Sequence, residues 1–337
     1  MQKEKTAVAQ EVDRGRAART PGQISLTGWK DILLRTKKGI TEDNLAIVSA
    51  GVAFFALLAV FPALAALVSI YGMFLDPATV QNQITALSGI LPEQGLGLIE
   101  RQLEQLVASK GGTLSLGAVL GLLIALWSAS KGMKALIKAM NIAYQETERR
   151  SFLRFNFVAV LFTFEAILFV IFSLTLVVVF PVVLNFVGLS IVVEKLTSIL
   201  RWPLLAAFVM VALGLLYRYA PNRKTPRFSW LSWGAAIATL LWIAMSVLFS
   251  QYVAHFGDFN TTYGSIGAVV VLLMWLYLSA FVVVLGAKLN AEMELQTRKD
   301  TTTSPEQSFG ERGAFVADTL GEVQGSSDTD KGEDLAP

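Results

Sequence analysis

Six apolar segments, at 44–75, 113–130, 155–187, 202–220, 228–254 and 263–291, occupy most of this chain. A hydrocarbon core of about 30 Å takes roughly 20 helical residues to cross, and each segment is close to that length or longer. In lipid every backbone N–H and C=O must be satisfied within the protein, which leaves helices and closed barrels. Runs such as AILFVIFSLTLVVVF (166–180) lack the alternation of barrel strands. The expected fold is all-α: an integral membrane bundle of six transmembrane helices with short amphipathic helices at its interfaces.

The basic residues set an expected orientation. Nine Lys/Arg precede the first segment, six lie in 131–154, four in 217–228 and five from Lys288 onward. The intervening loops hold two (Arg101, Lys110), two (Lys195, Arg201) and none. A bias of this kind puts the basic loops, and here both termini, in the cytoplasm. The bases are thereby explained by topology, and with a net charge of only +2 no nucleic-acid partner is expected.

Composition narrows the chemistry further. The chain has no cysteine and a single histidine, His255, so disulfides, Cys-ligated metals and His-rich metal sites are excluded. No Walker motif or other nucleotide fingerprint is present, and no cofactor, metal site or catalytic constellation is expected. The first 25 residues are polar, so the first apolar segment is expected to serve as its own uncleaved insertion signal.

Three regions follow from patterning. Residues 1–23 and 297–337 are polar and aperiodic and are expected to be disordered cytoplasmic ends, dispensable for insertion and fold. Residues 24–296 form the transmembrane domain, with an extracytoplasmic loop at 76–112 that reads as two short helices broken at Pro92. Residues 24–38 place Ile24, Leu26, Trp29, Ile32 and Leu33 near one face, as in a helix lying on headgroups or packed against cytoplasmic loops. The second segment continues past Trp127 with Lys131, Lys134 and Lys138 on one polar face. Those lysines, with Arg149 and Arg150, are candidates for binding the anionic headgroups of membrane lipids.

One acid lies well inside a span. Glu165 is eleven residues beyond Arg154, about 16 Å into the bilayer at the helical rise. An ionised carboxylate there costs at least about 2.5–3.5 kcal/mol, so it faces the bundle, is protonated or finds a partner. Two readings stand: a site on a substrate pathway, or a protonated side chain gluing two helices. Pro62 and Pro181 bend their helices and complete the pathway candidates. Between the last two segments His255, Asp258, Asn260, Thr262 and Tyr263 form a polar outer rim.

Several stretches carry a family resemblance: AGVAFFALLAVFP (50–62), WSASKGMKALIKAMNIAY (127–144), LYRYAPNRK (216–224), WGAAIATLLW (233–242) and YGSIGAVVVLLMWLYLSAFVVVLGAKLNAEME (263–294). In order and content they resemble the YihY/BrkB family, across about 40–294. The resemblance implies a multi-pass protein of the bacterial cytoplasmic (inner) membrane. It carries links to serum resistance, export and envelope-lipid handling, and for some members the label ribonuclease BN. Many members of that family carry an acid where this chain has Lys288, which is expected to snorkel to the headgroups. Nuclease chemistry needs clustered acids and bases beside a phosphate-binding surface, and the sequence offers none on its cytoplasmic loops.

Two functions fit these residues: a transporter or exporter of a lipid or other amphipathic small molecule in envelope homeostasis, or a non-transporting scaffold in an envelope-biogenesis complex. A homo-oligomer or an envelope-protein partner is compatible with both. A cavity lined by Glu165 favours the first, and a tightly packed Glu165 the second. The topology has a direct check. In this Cys-free chain a cysteine at Glu100 should react with an impermeant thiol reagent in intact cells, and one at Lys138 should not; labelling at Lys138 overturns the orientation.

Overall fold

A computed structural model describes residues 14–74, 116–176, 191–256, 265–303 and 305–323. Among them there are seven α-helices: α1 (Leu26–Glu42), α2 (Leu45–Phe74), α3 (Leu116–Ala143), α4 (Phe152–Leu174), α5 (Ile191–Tyr219), α6 (Phe228–Phe256) and α7 (Ser265–Glu294). There is no strand among the described residues beyond one isolated bridge between Pro226 and Thr302. The helices α2 to α7 overlap the six apolar segments, with α3 running on to Ala143 and α5 beginning at Ile191. Four, within α4 to α7, are long and apolar enough to cross a membrane, and the bent pair α1–α2 makes a possible fifth. Helix α3 is apolar in its first half and carries Lys131, Lys134 and Lys138 in its second.

The α1–α2 junction bends by 62°. Asn44 makes the corner with φ at +51°, a left-handed conformation that asparagine tolerates better than most residues. Ser25 caps α1, accepting a hydrogen bond from the Gly28 N–H at 3.1 Å. The buried side of α1 is largely polar: Asp31, Arg35 and Thr36 join Ile32 there, while Leu26, Leu33 and Leu34 are exposed. The apolar face expected for 24–38 is thus divided. Ile24 and Ile32 pack with Trp230, Leu289 and Met293, and the leucines face outward.

Helix α7 is the hub, packing against α1, α2, α3 and α6. Helices α2 and α3 lie closest, because Gly132 lets α3 approach Ala56 and Ala59. The main core (Leu45, Ile137, Met140, Tyr144, Tyr217, Leu231, Val284) sits toward the end of the bundle that carries the α3–α4 and α5–α6 connections. Tyr217 fastens α5 to α7 by donating to the Val283 carbonyl at 2.9 Å.

Below that core lies a layer of buried charge on the last turns of α7. Lys288 Nζ is 2.7 Å from Asp43 and 3.1 Å from Glu292. Arg35 of α1 reaches the other Glu292 oxygen at 2.8 Å, and also donates to the Glu292 carbonyl and to Gln296 Oε1. Arg223 pairs with Glu294 at 2.6 Å, both side chains fully buried, and its guanidinium lies over the Tyr144 ring. Lys288, only 2% exposed, does not snorkel: two carboxylates hold it inside the protein. Gly39 provides the room, since a Cβ there would collide with Lys288 Cε.

Both flanking regions depart from their expected disorder where they are described. Arg16 is buried and donates to the carbonyls of Leu295, Gln296 and Gly321. Residues 297–303 and 305–323 run as a strap across the same end. Arg227 N–H donates to Thr301 O and Thr303 N–H to Thr225 O, while the Thr301 hydroxyl donates to Glu294 at 2.7 Å. Arg312 closes the strap on itself through the carbonyls of Arg298, Lys299 and Ala317. Burial works against the Asp300 carboxylate. The N–H groups of Gln307 and Thr302, the Thr302 hydroxyl and nearby Arg312 outweigh it and hold its carboxyl below the ordinary value. The ordering comes from polar partners, which composition does not report. Residues 1–13, 76–112 and 324–337 lie outside the described residues.

Two outcomes follow from this layer. A chain ending at Gln296 should melt lower by at least about 1.5 °C, the shift that ~1 kcal/mol gives in a domain of this size; an unchanged melting temperature shows the strap to be dispensable. Arg223→Leu alone should cost about 3–5 kcal/mol by stranding the buried Glu294 carboxylate, whereas adding Glu294→Leu should recover most of it. Equal loss in the single and double variants would show that packing, not charge pairing, holds this junction.

Candidate functional site: an intramembrane cavity at Glu165

Helices α4 and α5 pack loosely against one another, and between them lies a chamber of about 200 Å³. Helix α4 contributes Phe162, Glu165, Ala166 and Phe169, and α5 contributes Val209, Ala212, Leu213 and Leu216. Both sets follow the i, i+3, i+4, i+7 spacing that aligns side chains on one helical face. Met133 and Leu136 of α3, Trp242 of α6 and Val283 of α7 close the rest. Toward the far end the α4–α5 seam is bridged by aromatic rings: Phe208 lies 5.4 Å from Phe169 and 4.2 Å from Phe172.

A second cavity, of about 350 Å³, lies across α3 from the first. It runs between α2 (Val52 to Ala63) and α4 (Thr163 to Val170), floored by Ala129, Gly132, Met133 and Leu136 of α3. Met133, Leu136 and Ala166 line both spaces, so the two adjoin. Small side chains create the room: Ala56, Ala59, Ala63, Ala129, Gly132 and Ala166 stand where larger residues would fill the gap.

Polar groups around these cavities are few, and most are engaged. Thr163 donates to the Ala159 carbonyl at 2.7 Å, and Trp242 Nε1 donates to Ser279 Oγ at 3.0 Å. Glu165 is half-buried, and among the described residues it has no hydrogen-bond or ion-pair partner. Among those residues its carboxyl meets no polar neighbour, and it lines the chamber.

The other candidates sort by geometry. Pro62 interrupts α2 beside the second cavity, at the residue before Ala63. The structure adds a proline within α5, Pro203, that the sequence reading did not single out. Pro181, Asp258, Asn260, Thr262 and Tyr263 lie outside the described residues. His255, exposed at the end of α6, has its ring Nδ1 2.9 Å from the Gln251 carbonyl. Lys131 and Lys138 are exposed on α3, and Lys134 Nζ sits 4.3 Å from the centroid of the Trp127 ring, whose neighbour is exposed Phe152. Arg149 is exposed. Arg150 is not available to headgroups: it pairs with Glu148 at 2.7 Å and donates to the Ala220 carbonyl, tying the α3–α4 connection to the end of α5. Among the described residues no group of three or more His, Asp or Glu is placed to hold a metal ion.

Long apolar helices around a charged hub define an α-helical membrane protein. The family is equally plain: the Virulence factor BrkB model matches residues 36–310, and the chain belongs to that family. It is 32% identical over 248 residues to the putative ribonuclease-like protein YfkH of Bacillus subtilis, covering 72% of this chain and 88% of that protein. A UPF0761 membrane protein of Vibrio atlanticus is 27% identical over 260 residues, 75% of this chain and 79% of its own length. No solved structure matches the chain.

Proposed function

We propose that this protein moves an amphipathic small molecule, a lipid or lipid-like compound, across or within the bacterial inner membrane, with Glu165 on its path. The observation that carries the reading is a carboxyl that has no partner among the described residues and lines a chamber among helices long enough to span. A carboxylate in that setting is costly unless its polarity is used, and a purely structural bundle would have packed or paired it. The loosely joined α4–α5 seam supplies a side opening through which a molecule could enter from lipid.

The reading includes six spans, α2 to α7, with both termini in the cytoplasm. It is supported by the distribution of bases and by the burial of charge at the end where α1, the two connections and the strap assemble. It also takes the protein to be no enzyme. The word ribonuclease-like belongs to the printed name of the Bacillus relative, and the chemistry expected of an RNA-cleaving site has no counterpart among the polar groups of the cavity.

Complementation of a deletion strain tests the role of Glu165. The transport reading expects Glu165→Gln and Glu165→Leu both to abolish the phenotype, with expression and melting temperature retained. A packing role in a scaffold expects Gln to be silent and Leu to alter stability. Full complementation by both variants removes Glu165 from the pathway.

A further inference from the structure

The two cavities differ in a way that specifies a ligand. Among their described lining residues Glu165 is the only ionisable group, and it belongs to the smaller chamber. The larger cavity is walled by aliphatic side chains, with one hydroxyl, Thr163, already committed to a backbone carbonyl. Along α2 it runs from Val52 to Ala63, about 16 Å at the helical rise, long enough to take an extended alkyl chain.

We propose that the paired cavities bind a single-chain cationic amphiphile, its alkyl chain in the α2–α3–α4 slot and its amine or quaternary ammonium head beside the Glu165 carboxylate. This deepens the transport reading and rests on it. Charge complementarity selects the head. A phosphate or sulfate group would meet a carboxyl, with no Lys or Arg and no free donor, because Trp242 N–H and the Thr163 hydroxyl are both spent. A cationic head supplies what Glu165 lacks: a counter-charge in a setting where unpaired ionisation is expensive. Phe162, Phe169 and Trp242 add ring faces to the same chamber, the surfaces on which ammonium groups rest well. The shared residues Met133, Leu136 and Ala166 form the waist where head and chain would join.

Photo-cross-linking on the full chain in lipid nanodiscs tests this. The probes are dodecyltrimethylammonium, dodecyl sulfate and dodecanol, each with a diazirine at the chain end. The ammonium probe should label the slot at 52–63 or 163–170, and Glu165→Gln should weaken it about tenfold or more, down to the level of dodecanol. Ala59→Trp should block labelling by filling the slot, and Ala166→Leu serves as a milder filler if the tryptophan disturbs folding. Sulfate labelling as strong as ammonium labelling, or ammonium labelling indifferent to Glu165→Gln, overturns the choice of head while leaving an amphiphile path intact. Failure of all three probes to label the slot overturns the site itself. The transport reading is then judged separately by complementation with the Glu165 variants.

Discussion

The architecture depends on the pairing of charge buried at the end of α7. Lys288, Glu292 and Glu294 lie within two turns of one helix, and each is matched by a group from elsewhere in the chain: Asp43 at the α1–α2 corner, Arg35 on α1, Arg223 after α5. A buried ion pair adds little net stability against an apolar substitute, but an unmatched member is severely penalised, so such a layer specifies which elements meet. Once these pairs form, α1 must lie with its polar side inward, the α5–α6 connection must reach Glu294, and the strap must follow Thr301 to the same carboxylate.

That tight end contrasts with the loose one. Helices α4 and α5 are anchored through Arg150 on Glu148 and the Ala220 carbonyl and through Tyr217 on α7, but farther along they are bridged mainly by the Phe169, Phe172 and Phe208 rings. Aromatic contacts are worth about 0.5–1.5 kcal/mol each beyond their area burial, far less than the loss on stranding a buried charge. Movement is therefore cheapest along the α4–α5 seam, next to Glu165, and dearest at the charged hub. A cavity whose one side can part while its base stays fixed suits a molecule that enters from lipid. Small residues occur at both ends, but at the hub Ala235, Ala238, Ala287 and Ala291 pack closely among Tyr144 and Tyr217, whereas those on α2, α3 and α4 line the open cavities.

Much of this was legible in the chain beforehand. The helix type and the approximate positions of α2 to α7 were readable because long apolar segments obey a local rule: a lipid solvent dictates composition over about 20 consecutive residues. The exposure of the basic residues was partly legible. Lys131 and Lys138 stand on the exposed face that their spacing suggested, whereas Arg150 does not, because its partner is a carbonyl 70 residues away. The strap was not legible at all. Its stretch is polar and aperiodic, and only knowledge of where Arg227, Glu294 and Arg16 sit shows what its backbone and hydroxyls bind.

By itself, then, the sequence determined which segments are long, apolar and helical, where the bases fall between them, and that one acid, Glu165, lies well inside such a segment. Only the tertiary structure decided that Lys288 is an internal ion-pair partner and not a headgroup anchor, and that Arg35 and Glu292, 257 positions apart, are hydrogen-bonded. It alone placed Glu165 in the lining of a chamber, with no partner among the described residues. The physical reason is range. Hydrophobic periodicity is written along a single helix, while a cavity or a buried charge pair is a relation among several helices, set by how closely small and large side chains let them approach.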